Sequence, residues 1–171
     1  MSKHDTLTYT DFALPNNVVS KVDVARLVRE AERIDNELTA QSVRKKAGAQ
    51  DSSAPVTSDQ FTQFLEMNEL PFKESKERTL LIKELRHMKD ALPVIHMTFA
   101  VTADPESLQH IALWLRESVH KQAVIDVGLQ PGLVAGVYLR TANHVQDLSL
   151  KGKLQGQRGL LVKELEALRG K

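Results

Sequence analysis

Residues 135–154 read AGVYLRTANHVQDLSLKGKL, and the parsing of this stretch decides how the rest of the chain is read. Apolar residues alternate from Val137 to Arg140 and again from Val145, which suits two short strands joined by a turn at Ala142-Asn143. The second strand leads into SLKGKLQGQRGLLVKELEALRGK, where Leu154, Leu161, Leu165 and Leu168 recur at helical spacing. Asp147 and Ser149 stand where a carboxylate or a hydroxyl can cap that helix. Gly156 and Gly159 weaken its first turns by up to about 1 kcal/mol each relative to Ala. The stretch holds no acid pair and no phosphate-cradling loop. It specifies a compact, chemically inert hairpin that feeds a basic helix.

Upstream, VIHMTFAV (94–101) is apolar and β-branched enough for a buried strand. TADPESLQHIALWLRESVHK follows, with Asp104 as cap and Pro105 at the first helical position. Its apolar face is Leu108, Ile111, Ala112, Leu115 and Val119. AVIDVGL, GLVAGVYLRT and HVQDLSL then read as three further strands. Before Pro93 the pattern is helical. Val24, Leu27, Val28, Ala31, Ile34 and Leu38 share one helix face, with Asn16 or Asn17 as its cap. GAQDSSAPV reads as a flexible linker, near residues 47–57. Phe61, Phe64 and Leu65 mark a short second helix capped by Thr57 or Ser58, and Leu80, Leu81, Leu85 and Met88 mark a third. The expected fold class is α+β. A helical region, 1–92, precedes a small β-α-β-β-β-α domain, 93–171.

Composition narrows the function. The 171 residues carry a formal net charge of +1, so the whole molecule has no strong field toward nucleic acid or acidic lipid. The absence of Cys removes disulfides, thiolate metal sites and thiol catalysis. The N-terminus lacks the apolar run of a signal peptide and no window suits a membrane span, so a soluble, cytoplasmic protein is expected. The six His have no metal-ligand spacing. Gly128, Gly132 and Gly136 recur every fourth residue, but GLQPGLVAG lacks the Gly-Lys-Ser/Thr ending of a phosphate loop and runs into a strand. Ser149 has no nucleophile-elbow context. No catalytic residue, cofactor or metal is expected. The last 24 residues hold six Lys and Arg against two Glu, a basic face that would suit an adaptor or a small nucleic-acid-binding module. With aromatics at 5%, stacking on bases has little support.

GLVAGVYLRTANHVQDLSLKGKL closely resembles the C-terminal signature of the delta subunit of F-type ATP synthases, the family of the oligomycin-sensitivity-conferring protein. The matching residues are the small pair Ala135-Gly136, then Val137, Leu139 and Arg140, a tight turn, and Val145, Asp147 and Ser149. The step Lys151-Gly152-Lys153-Leu154 leads into the last helix. The resemblance covers about residues 94–168, and VTADPESLQHIALWLRES is similar to the family's strand-to-helix step. It implies a non-catalytic stator role, joining the catalytic head to the peripheral stalk of a proton- or sodium-translocating enzyme. The implied partners are alpha subunits and the b subunits of the stalk, with the membrane reached only through the complex and no nucleic acid bound. Gly136, Arg140, Asp147, Ser149 and Gly152 form the structural signature, and Leu161, Leu165 and Leu168 are the expected b-subunit contact. If Arg140 and Asp147 share a face of the hairpin, they can pair. The front half is shorter than the family's six-helix bundle, with three helical patterns before residue 93.

Overall fold

The computed structural model describes residues 8–48, 53–133, 135–141 and 143–169. Within the last helix, the side chains of 154, 156, 158, 160, 161, 164, 165 and 167–169 are not among those described. The elements in chain order are α1 (Lys21–Lys46), α2 (Asp59–Met67), α3 (Ser75–Ala91), β1 (Val94–Phe99), α4 (Pro105–Ser118), β2 (Val124–Leu129), β3 (Val137–Arg140), β4 (Val145–Asp147) and α5 (Leu150–Arg169). The chain is α+β, helical in front and β-α-β-β-β-α behind. It divides into two compact units, one of residues 1–93 with 109–124, the other of 94–108 with 125–171.

In the first unit, α1 starts at Ser20. The Ser20 side chain accepts the Asp23 N–H, and the Asp23 carboxylate accepts the Ser20 N–H at 2.9 Å, a reciprocal cap. Asn16 and Asn17, the cap candidates from sequence, lie upstream of the helix. Asn17 is used toward α2 instead, its carbonyl accepting from Gln60 Nε2 at 2.9 Å. The apolar face of α1 buries Val24, Leu27, Val28, Ala31 and Ile34 as the spacing predicts. Ser58 caps α2 by accepting the Phe61 N–H at 3.2 Å. Phe61 and Phe64 are fully buried, and Phe61 meets Phe72 edge-on with ring centres 5.3 Å apart. From α3, Leu81, Ile82, Leu85 and Met88 join this core, while Leu80 stays half-buried. Arg78 is buried with them because its charge is met, Nε donating to Asp35 Oδ1 at 2.6 Å and Nη1 to the Lys73 carbonyl at 2.6 Å.

The segment that reads as a linker is pinned along α1 where it is described. Gln41 Nε2 donates to the Ser53 carbonyl at 3.1 Å and Arg33 Nη2 to the Val56 carbonyl at 2.6 Å. Pro and small residues deny this stretch a helix, yet long side chains of α1 supply its backbone with partners. Residues 49–52 lie outside the described residues.

The second unit is built on a sheet of order β2-β1-β3-β4. β1 and β2 run parallel, since Val124 N–H bonds the Pro93 carbonyl and Gln130 N–H the Phe99 carbonyl in the same sense. Their connection is α4, opened as expected by Asp104, whose carboxylate accepts the Ser107 N–H at 2.9 Å. β1 and β3 are antiparallel with His96 opposite Arg140, and β3 and β4 are antiparallel. Ile95, Met97, Ile125 and Leu133 are buried. The third strand is shorter than GLVAGVYLRT suggests. Residues 131–133 form a single 3-10 turn, and the strand begins only after Gly136. Val119, expected on the apolar face of α4, lies past the helix end and is 59% exposed.

Residues 109–124 belong to the first unit, and two polar side chains there bind its N-terminal segment. Arg116 donates to the backbone carbonyls of Leu14, Pro15, Val18 and Ala123. Gln122, buried, donates to the carbonyls of Tyr9 and Phe12 at 2.6 and 2.8 Å. Burial lowers the Arg116 pKa, but a guanidinium stays protonated across the accessible pH range. Replacing Arg116 with Met should cost about 2–3 kcal/mol, because carbonyls at positions 14, 15 and 18 lose a charged donor. Urea unfolding followed by circular dichroism measures this. A loss below about 0.5 kcal/mol would show those carbonyls to be hydrated already.

Candidate functional site

The site is the junction between the β3–β4 hairpin and α5, all within the second unit. The register sets Tyr138 opposite Asp147, Leu139 opposite Gln146 and Arg140 opposite Val145. Thr141 and His144 close the turn. The Thr141 N–H bonds the His144 carbonyl at 2.8 Å, and the Thr141 hydroxyl accepts the His144 N–H at 3.1 Å. Ala142 lies outside the described residues. Past Asp147 the pairing continues into the helix start, with the Leu148 N–H bonded to the Val137 carbonyl at 3.0 Å and the Leu150 N–H to the Ala135 carbonyl at 2.8 Å.

These two bonds draw the backbones so close that position 136 has no room for a side chain. A Cβ on Gly136 would lie 2.5 Å from the Leu148 carbonyl oxygen and 2.8 Å from the Ser149 Cα. Gly136 also takes φ 92°, a conformation that L side chains rarely adopt. The small pair Ala135-Gly136 is therefore a place of close backbone approach.

Ser149 is fully buried and caps α5, its Oγ accepting the Gly152 N–H at 3.0 Å. Its own N–H donates to Asp147 Oδ1 at 2.9 Å. The hydroxyl of Ser149, then its N–H, then the nearby Lys151 charge hold the Asp147 carboxyl below the ordinary carboxylate range. That carboxylate stands over the first turn of α5, where a Cβ on Gly152 would come within 2.6 Å of Asp147 Oδ2. Of the two cap candidates, the hydroxyl caps and the carboxylate fixes the hydroxyl. Gly136, Asp147, Ser149 and Gly152 thus come together in one lock.

Arg140 is not part of that lock. It shares a sheet face with Asp147 but sits on the diagonal, opposite Val145, and the Asp147 carboxylate is committed to Ser149. Arg140 lies instead in the row of His96, whose Nδ1 is 2.7 Å from Asp126 Oδ2. Leu161, Leu165 and Leu168 fall in α5, with side chains outside those described. The described side chains of α5 include exposed Lys151, Lys153, Val162 and Lys163. Sequence reasoning missed Arg116 and Gln122. Arg116 had a legible sign, since one helical turn from Ala112 it borders the apolar face of α4.

Among the described residues no group of three or more His, Asp or Glu could hold a metal ion. The arrangement offers no activated nucleophile at the lock, because the buried Ser149 hydroxyl is engaged in capping. No protein-family model matches the chain, and no curated protein matches it either.

Two changes probe the lock. Gly136→Ala should destabilise the second unit by at least about 1–2 kcal/mol, the penalty of left-handed backbone alone, before the clash with Leu148 is counted. Thermal unfolding reads this directly. A depressed carboxyl pKa contributes stability that is present above the unfolded carboxylate value, near 4, and lost as pH falls through the folded value. Hydrogen exchange at the start of α5 should therefore speed up below about pH 4 relative to its intrinsic rate. Asp147→Asn should abolish that pH dependence, and persistence of the dependence in the variant would assign it to another carboxylate.

Proposed function

We propose that this chain is a non-catalytic peripheral-stalk subunit of an F-type ATP synthase, joining the catalytic head to the b-subunit stalk and resisting rotation. The observation that carries the reading is the convergence of four signature residues, Gly136, Asp147, Ser149 and Gly152, on one structural junction. Their order and spacing resemble those of the delta-subunit signature, and their use is to fix the angle at which α5 leaves the sheet. A stator subunit needs such stiffness and no chemistry. In this reading α5 meets the b subunits through Leu161, Leu165 and Leu168, and the helical unit meets alpha subunits. Two attachment sites on one chain raise the joint affinity through effective concentration, without either contact being tight alone.

No described helix is long and apolar enough to cross a membrane. The proposal therefore brings the chain to the membrane through the complex, on its cytoplasmic side. Recovery of tagged protein from its native membranes in mild detergent, followed by mass spectrometry, tests this. Alpha, beta and b subunits should accompany it at near-stoichiometric levels. Leu168→Asp should lower b-subunit recovery at least tenfold in a protein still folded by circular dichroism. Recovery of the chain alone, or with nucleic acid, would overturn the stator reading.

A further inference from the structure

A cleft of about 530 Å³ runs in the first unit between α1 and the segment that leads into α2. One wall is cationic. Arg26, Arg29 and Arg33 follow at i, i+3 and i+7 along α1, and all three line the cleft. The other wall is Val56, Thr57 and Ser58. It is held in place by α1 itself, since Arg33 Nη2 donates to the Val56 carbonyl at 2.6 Å. Val56 is 80% exposed, an apolar lip beside the guanidinium groups.

The chain already shows which chemistry suits this cleft. Glu30 lies in it, and its two carboxylate oxygens accept the Ser58 N–H and the Ser58 hydroxyl, both at 2.5 Å. One internal carboxylate thus stands in a lining with three guanidinium groups, 4.0 Å from Arg33 Nη2. Two of the arginines are partly answered outside the lining, Arg26 by Asp23 at 3.1 Å and Arg33 by Glu37 at 2.7 Å. Arg29, exposed between them, has no ion pair among the described residues. Arg33 stands seven helical steps beyond Arg26, roughly 10 Å at 1.5 Å per residue. That span exceeds a single phosphate or carboxylate and equals about three residues of extended peptide.

We propose that this cleft docks an acidic segment of a partner protein. Its carboxylates engage Arg29 and the flanking Arg26 and Arg33, and an apolar side chain of the same segment covers Val56. Guanidinium favours carboxylate through its planar fork, so the arginines give register as well as attraction. The internal Glu30 carboxylate competes with the incoming segment and limits its affinity. The inference stands on the first unit alone and is independent of the stator reading.

Arginine-labelled full-length protein, titrated at low ionic strength with the peptide acetyl-Glu-Glu-Leu-Glu-Glu-amide, tests it by NMR at the side-chain Nε resonances. The peptide should shift Arg26, Arg29 and Arg33 and saturate. Arg29→Glu, on an exposed position, should weaken binding at least tenfold without unfolding the protein. Glu30→Gln should tighten it several-fold by removing the competing charge. Peptide binding unchanged in Arg29→Glu, or the same shifts produced by equimolar inorganic phosphate, would overturn the proposal.

Discussion

Arg116 places a positive charge among the backbone carbonyls of Leu14, Pro15 and Val18. Leu14, Pro15 and Val18 are in the core, yet their segment is neither helix nor strand. Burying such a stretch would leave its carbonyls unpaired, at a cost comparable to the apolar gain. One guanidinium, with several donors in a fixed fork, answers three of them and ties them to the end of α4. Gln122 repeats the device with two more carbonyls nearer the N-terminus. These donors let the apolar residues of the N-terminal segment stay inside without leaving those carbonyls bare.

The second unit applies the same rule at smaller scale. Its hairpin passes into α5 with no spare residues, so the exposed amides at the helix start need partners from the adjoining strand end. Ser149 supplies one and is held in turn by Asp147. Gly136 and Gly152 leave the space in which this can happen. In both units, polar side chains satisfy irregular backbone, and the apolar packing follows from that.

The legibility of the sequence matches this division. Periodicity located the α-helices of the described residues and the alternation of strands, because apolar spacing along a helix or strand is a local property. Asp104-Pro105 named the start of α4 correctly, since cap chemistry is also local. The reading failed where the decisive partner lies far along the chain. Asn17 looks like a cap until Gln60 and Gln63 are seen to claim it. The segment 53–58 looks like free linker until Gln41, Arg33 and Glu30 are seen to hold it. At the hairpin junction the signature residues were visible but their roles were divided differently. Spacing shows that Arg140 and Asp147 can share a face, and only the register shows that Ser149 takes the carboxylate.

The hook formed by Arg116 and Gln122 also orders events in time. A chain synthesised from its N-terminus has made α1, α2 and α3 well before residue 116 leaves the ribosome. Until then the carbonyls of Tyr9, Phe12, Leu14 and Val18 lack the Arg116 and Gln122 donors, while Gln60 and Asn68 already reach those of Asn17 and Ala13. Two of the hooks of the helical unit, Arg116 and Gln122, are therefore made only after the first strand of the following unit. N-terminal domains commonly finish folding first. Here the front half takes part of its hydrogen bonding from chain made after the first strand behind it.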